Sequence, residues 1–434
     1  VWTWLNRTQG ITPLRDTGLL VPPRFLGRLS LWLAFASAVT ILLSIAVSQI
    51  LLALAIGVLL LSGLPLRWPR IAIPIGLFLV WSLIALAFSP DPGYGLAQER
   101  KIFVYLTMLV VYSTIRGINE ARWLVGAWMI VGTATAERGL VQYARDVAGA
   151  RAAGMDFYHF YVADRIRGFM SHWMTFSGQE LFVLLLIVAW LFFGRFERRS
   201  LWLWIPCALV TGLALFLSQT RSIWIAGVVA GFYLCWYWRR WAAIALPVAL
   251  LLFVALGPEA VRVRAWSIVH PETETDSNSH RVVCWRTGWQ MIKAHPLLGV
   301  GPDEIRKESV FFAYLPADIT QPLPSGYYGH LHNFYIQYAA ERGVPATLLI
   351  VAALLLAVYD FLKALRKLPP GRSGQRFLLH ASIAVVIGTM VGGIFEYNLN
   401  DTEVLTMFLA IMCLGYLAVE QAQSPIFSTS TKQL

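Results

Sequence analysis

Apolar runs of roughly 18–22 residues, long enough to cross a bilayer as helices, recur along this chain between short polar turns. In order, they predict helices at about 29–46, 49–65, 71–89, 102–116, 121–141, 174–194, 201–218, 222–238, 240–257, 344–362, 377–396 and 402–420. The first two share one apolar stretch, divided at Ser48-Gln49. The pattern lapses twice, at 142–173 and at 258–343, where polar and apolar residues mix. In the second lapse Arg281 begins a helical pattern with Val282, Trp285, Trp289 and Ile292 on one face. That pattern stops at His295-Pro296, before a Leu-Leu-Gly-Val-Gly turn. Gly57, Gly63, Gly126, Gly132, Gly212, Gly227 and Gly231 fall within or beside the runs and should let helices approach closely. The expected fold is an all-α polytopic membrane protein of about twelve transmembrane helices, one integral membrane domain over 1–434. Residues 258–343 form its large loop, with short helices of their own.

Composition agrees with this pattern. The chain is 57% hydrophobic and 14% charged, with a mean hydropathy of +0.61, whereas soluble domains carry about a quarter of their residues as charges. A net charge of +11 would suit nucleic acid, but the basic residues gather in alternate short loops, as the positive-inside rule requires. One side collects Arg7, Arg15, Arg24 and Arg28, then Arg67 and Arg70, Arg116 and Arg122, Arg195, Arg198 and Arg199, Arg239 and Arg240, and finally Lys363 to Arg376. The other side's short loops hold little beyond Arg100, Lys101 and Arg221. Both termini are therefore expected in the cytoplasm, with 142–173 and 258–343 facing outward. Nucleic acid is not an expected partner. Residues 1–28 enter the first apolar run without a small-residue cleavage site, which reads as a retained anchor. Cys207, Cys235 and Cys413 lie in apolar runs and Cys284 is alone in the large loop, so no disulfide framework is expected.

Candidate chemistry collects on the outer side. Ser218-Gln219-Thr220-Arg221-Ser222 is a whole turn between two spans with one charge. An arginine at a helix end can snorkel to lipid headgroups, but one set between hydroxyls suits bidentate phosphate binding better. Arg281 at a helix start, and Arg167 beside Gly168, are further candidates for anion contact. Most other charges of the large loop balance in sign and read as a solvated face. That loop closes on Gly329-His330-Leu331-His332-Asn333, just before the tenth span. The two histidines supply only two metal ligands, with no third suggested nearby. They could instead cap the helix near Asn333. The favoured reading makes His332 a general base that takes a proton from a sugar hydroxyl, with neighbouring arginines keeping the imidazole neutral. No Asp-x-Asp pair lies in an outer loop. Neither a metal nor a cofactor is expected; if the chain is a transferase, arginines rather than a metal would stabilise the leaving pyrophosphate.

Three strings in this order resemble the O-antigen ligase/Wzy-C superfamily. They are Thr220-Arg221-Ser222 leading into an apolar helix, Arg281 through the Pro-Leu-Leu-Gly-Val-Gly turn to Gly301, and His332-Asn333-Phe-Tyr-Ile-Gln337 followed by Glu341-Arg-Gly343-Val-Pro345. They cover about 220–345; upstream, Trp81 to Pro92 resembles the family's third-span exit. The resemblance implies a GT-C-like glycosyltransferase of the bacterial inner membrane, acting at the periplasmic face. Its donor would be glycan on undecaprenyl pyrophosphate and its acceptor lipid A–core, within a membrane-lipid setting. It assigns His332 to activating the acceptor hydroxyl, and Arg221 and Arg281 to the pyrophosphate. Arg264, Arg167, His330 and Asn333 are added as supporting residues, the first two for donor pyrophosphate and the last two for the acceptor side.

Ligase, polymerase and protein oligosaccharyltransferase activities all occur within that superfamily. The Arg-rich loop beside the His-x-His-Asn string looks most like the ligases. A lipid-linked glycan flippase is the rival of another class, and would need ionisable or helix-breaking residues at mid-span. Here Glu137, Arg138, Glu180, Arg221, Glu396 and Asp401 are expected towards the outer ends of the spans.

Overall fold

A computed structural model describes residues 23–155, 157, 160–161, 165–195, 200–256, 262, 277–319, 323 and 329–423. The candidate Arg264 and most of the basic N-terminal segment lie outside them. Among the described residues the regular elements are all helical. The first half holds α1 (Pro23–Thr40), α2 (Ile45–Leu61), α3 (Ala72–Ala87), α4 (Pro92–Glu99), a 3-10 segment at Arg100–Tyr105, α5 (Leu106–Thr114) and α6 (Ile118–Ala153). Next come α7 (Trp173–Phe193), α8 (Leu201–Leu217), α9 (Arg221–Trp238) and α10 (Arg240–Leu256). The large loop contributes α11 (Ser277–Ala294), α12 (Glu308–Ala313) and α13 (Phe334–Arg342). The chain then runs through α14 (Val344–Lys367), α15 (Ser373–Gly392) and α16 (Thr402–Gln423).

A helix covers each predicted apolar run. By length and composition, α7, α14, α15 and α16 can cross a membrane, and α2, α3, α8 and 240–252 of α10 are shorter apolar helices. The protein is integral to the membrane. Its centre is α15 and α16, where every side chain from Glu403 to Ala418 is buried. Their apolar residues are not confined to one stripe, as suits helices surrounded by others. Around them pack α7, α9 and α14. The periphery is apolar as well: Trp202, Leu209, Ile244, Leu251 and Leu256 are exposed, as surfaces solvated by lipid should be. The large loop builds a second apolar core from Cys284, Met291, Ile305, Phe311, Leu331 and Ala340, so it can hold a site rigidly without help from the bilayer.

Several boundaries depart from expectation. The first apolar stretch breaks at 41–44, not at Ser48-Gln49. Ser44 caps α2, and Ser48 lies inside it, donating from Oγ to the Ser37 carbonyl across the helical hairpin at 2.8 Å. A polar pair can thus join two helices as readily as separate them. Helix α6 continues past 141 to Ala153, where its composition turns polar. The buried side of α11 is His280, Val283, Cys284, Thr287 and Met291, whereas Val282 and Trp289 are exposed. Of the glycines, Gly132 does admit a neighbour, since a Cβ there would sit 2.5 Å from Val183, but Gly57, Gly63 and Gly126 face nothing within 4 Å.

The two ends of the bundle differ in character. One end carries the ion pairs Arg67–Glu420 and Arg70–Asp360, with Arg372 donating to the Gln421 carbonyl. At the other end the α8–α9 turn, the start of α7, the large loop and the 393–401 connection meet.

Candidate functional site

The α8–α9 turn is tightly held. Ser218 Oγ donates to the Leu215 carbonyl at 2.7 Å, and Thr220 Oγ1 pairs with Ser177 Oγ of α7 at 3.0 Å. Gln219 takes a left-handed backbone, φ 51°, which lets the chain reverse within so few residues. Thr220 is the N-cap, and Arg221 is the first residue of α9 rather than part of the turn. Its side chain is buried at the positive end of a helix dipole, a setting that favours anions. Arg165 also faces this turn, donating from Nη1 to the Gln219 carbonyl at 3.3 Å while its guanidinium lies over Trp173. Arg167 is exposed, and its backbone N–H donates to Gln142 Oε1 at 3.1 Å.

Glu396, in the connection between α15 and α16, ties the pieces together. Ser222 Oγ donates to its Oε1 at 3.4 Å, and Arg281 Nη2 to the same oxygen at 2.8 Å. Arg281 Nε also donates to the Phe395 carbonyl at 3.2 Å, which sets the plane of the guanidinium. On the far side of the carboxylate, Oε2 lies 3.8 Å from His332 Nδ1, a Coulombic contact longer than a hydrogen bond. Burial alone would push the Glu396 carboxyl up; Arg281 first, and then the two histidines, outweigh it and hold it at about 2.

Three imidazoles cluster here. The His332 ring centroid is 3.9 Å from that of His330 and 5.8 Å from that of His280. Burial, then His332, lowers His280 to about 4 and His330 to about 3, so both are neutral near pH 7. His280 comes from the second turn into α11, next to Arg281, because the helix starts four residues earlier than expected. His332 is one of three described non-glycine residues with positive φ, at 50°, a conformation that is uncommon outside glycine. Trp285 Nε1 donates to its carbonyl at 3.4 Å, and Asn333 caps α13 by accepting the Ile336 N–H at 3.0 Å.

Two sequence strings that looked separate are one clasp. Val300 and Gly301 donate backbone N–H bonds to the Ala340 and Glu341 carbonyls, and Val344 donates to the Pro296 carbonyl. Gly343, at φ 84° and ψ 165°, lies against the Leu297 carbonyl so closely that any Cβ would collide with it. Gly299 is pressed in the same way on the backbone of Glu341. Trp81 closes the clasp, donating from Nε1 to the carbonyls of Arg342 and Leu297. The Pro-Leu-Leu-Gly and Glu-Arg-Gly strings thus position the loop on α3 rather than perform chemistry.

The structure therefore brings Arg221, Arg281, His330, His332 and Asn333 to one place. Sequence reasoning missed Glu396, His280 and Arg165 as members of the site. Glu396 was visible only as a carboxylate near a span end, with no spacing rule linking it to His332.

A family model described as O-antigen ligase, Wzy_C, matches residues 206–351. Compared with curated proteins, the chain matches none. The matched stretch contains Arg221, Arg281, His332 and the two glycine strings of the clasp, whereas Trp81, Arg165 and Glu396 lie outside it. The likeness to the O-antigen ligase family thus lies in residues 206–351, less than half of the chain.

Proposed function

We propose that this protein is an O-antigen ligase that transfers O-antigen polysaccharide from undecaprenyl pyrophosphate to a sugar hydroxyl of lipid A–core. The observation that carries this reading is the meeting of His332 and Arg281 on Glu396, with the Arg221 turn joined to the same carboxylate through Ser222. Arg221 and Arg281 bind the donor pyrophosphate; the helix end beneath Arg221 adds its dipole. Arg165 stands beside them as a third cation. Glu396, ionised at any ordinary pH, orients His332 and favours its protonated form once a proton arrives, as a carboxylate does behind a catalytic imidazole.

In the reaction, His332 Nε2 takes the acceptor hydroxyl's proton. The oxygen attacks the anomeric carbon from the face opposite the pyrophosphate. As the new C–O bond forms, the old one breaks and its electron pair leaves on the pyrophosphate, whose charge the arginines offset. The product has inverted configuration, and no general acid is needed. The 3.8 Å contact between His332 and Glu396 is expected to shorten when substrate excludes water. In this reading about twelve helices span the inner membrane in a GT-C-like arrangement. Both termini are cytoplasmic, and the site lies at the periplasmic face, where two lipid-anchored substrates can both reach it.

The test is transfer by purified protein in detergent with both lipid-linked substrates, read as ladder formation on lipid A–core. Wild-type protein should form the ladder in the presence of EDTA. The His332→Ala variant should lose about 10²–10⁴-fold in rate, the usual worth of a general base. Full activity of that variant rules out the base assignment. A product in which donor glycan is extended on its own lipid, with lipid A–core untouched, makes the protein a polymerase instead.

A further inference from the structure

The backbone of His332 is strained, and something must hold it. A non-glycine residue in the left-handed region persists only where its surroundings impose it. On one side the restraint is the Trp285 bond to the His332 carbonyl and the Asn333 cap. On the other side it is a chain of buried polar groups. Leu331 N–H donates to Gln337 Oε1 at 2.7 Å, and Gln337 Nε2 donates to Glu341 Oε1 at 2.7 Å. Glu341 Oε2 accepts from Arg342 Nη1, whose Nη2 reaches Gln98 Oε1 at 2.7 Å and Glu99 Oε1 at 2.9 Å. Gln98 Nε2 then donates to Asn400 Oδ1 at 3.3 Å, and Lys101 Nζ to the Asn400 carbonyl at 3.4 Å. Asn400 belongs to the same connection as Glu396. The chain thus begins one residue before the base and ends in the loop that carries the base's carboxylate.

We propose that Gln337 and Glu341 are positioning residues for His332, bracing its backbone and locking it in register with the Glu396 loop. The inference rests on the reading of His332 as the base. Residue type follows from the geometry. Gln337 must accept at one end and donate at the other, which an amide does and a carboxylate does not. Its partner lies one helical turn on, the i,i+4 spacing at which side chains meet. Gln337, Glu341, Arg342 and Glu99 are all buried. A buried ion pair adds little stability over apolar packing of the same shape, so its value here is geometric.

The test exchanges the two groups. In Gln337→Glu alone, two carboxyls face each other and the chain breaks. In the double variant Gln337→Glu/Glu341→Gln the carboxylate accepts from Leu331 N–H and from the new amide, whose oxygen accepts from Arg342. In the transfer assay, kcat of the single variant should fall about tenfold or more while KM for both substrates stays within about threefold, as for a misplaced catalytic group. The exchanged pair should recover most of the lost kcat. A single variant with wild-type kcat, or a folded exchanged pair no better than the single one, overturns the proposal. Hydrogen exchange on wild-type peptide 329–336 gives a reading that needs no variant: slow exchange at the Leu331 amide is expected, and exchange at the rate of an open loop overturns it. If His332→Ala is active, the base reading fails. If it is inactive while Gln337→Glu is not impaired, the brace alone fails.

Discussion

At the scale of single residues, the site separates three histidines that composition cannot tell apart. His280 and His330 are held neutral by burial and by their neighbours, at about 4 and about 3. His332 is the one that faces the Glu396 carboxylate. Sign matters here. A histidine whose value is lowered binds its proton only below that value, so neither neighbour changes charge between pH 5 and 8. His280→Gln and His330→Gln should therefore leave the shape of the rate–pH profile over that range unchanged, whatever they do to its height. A new inflection between pH 5 and 8 in either variant would show that these rings titrate with the base. The loop, basic surroundings and position before a helix of His330 and His332 were legible in sequence, whereas His280 was not singled out. Their division of labour was not, because it depends on a carboxylate from a distant connection.

At the scale of elements, the loop is held by backbone fit more than by side-chain chemistry. Gly343 occupies a region of φ and ψ that is essentially confined to glycine, with the Leu297 carbonyl against it. Gly343→Ala should destabilise the protein by about 2 kcal/mol or more, read as a lower melting temperature in detergent. Gly57→Ala, which meets nothing, should leave that temperature unchanged or raise it slightly, since alanine favours helix. Equal effects from the two would contradict the clasp. Helix existence was readable from apolar runs, and helix faces less so. The α11 face was half right: Trp285 and Ile292 pack on the loop's own core, which leaves Val282 and Trp289 exposed.

At the scale of the whole molecule, the Arg67–Glu420 and Arg70–Asp360 end and the His332 end are opposite each other. If the site faces the periplasm, a membrane-impermeant maleimide should label Lys293→Cys in cells with a permeabilised outer membrane. Arg372→Cys should label only after the inner membrane is opened. Both are made in a background in which the four native cysteines are replaced by Ala or Ser and transfer activity is retained. The reversed pattern would place the chemistry in the cytoplasm and overturn the periplasmic reading.

The sequence by itself determined that this is a helical membrane protein, because a bilayer admits only segments that satisfy their own backbone, and those declare themselves as long apolar runs. It also marked Arg221 and His332, because polar groups at span ends are few enough to stand out, and Arg281, because it begins a helical pattern in the large loop. Only the tertiary structure decided that Glu396 joins these residues, that Arg165 faces the turn, and that two glycine strings form one clasp. Each of these is a contact between segments far apart in the chain, set by the packing of the bundle and of the loop's own core rather than by any local spacing.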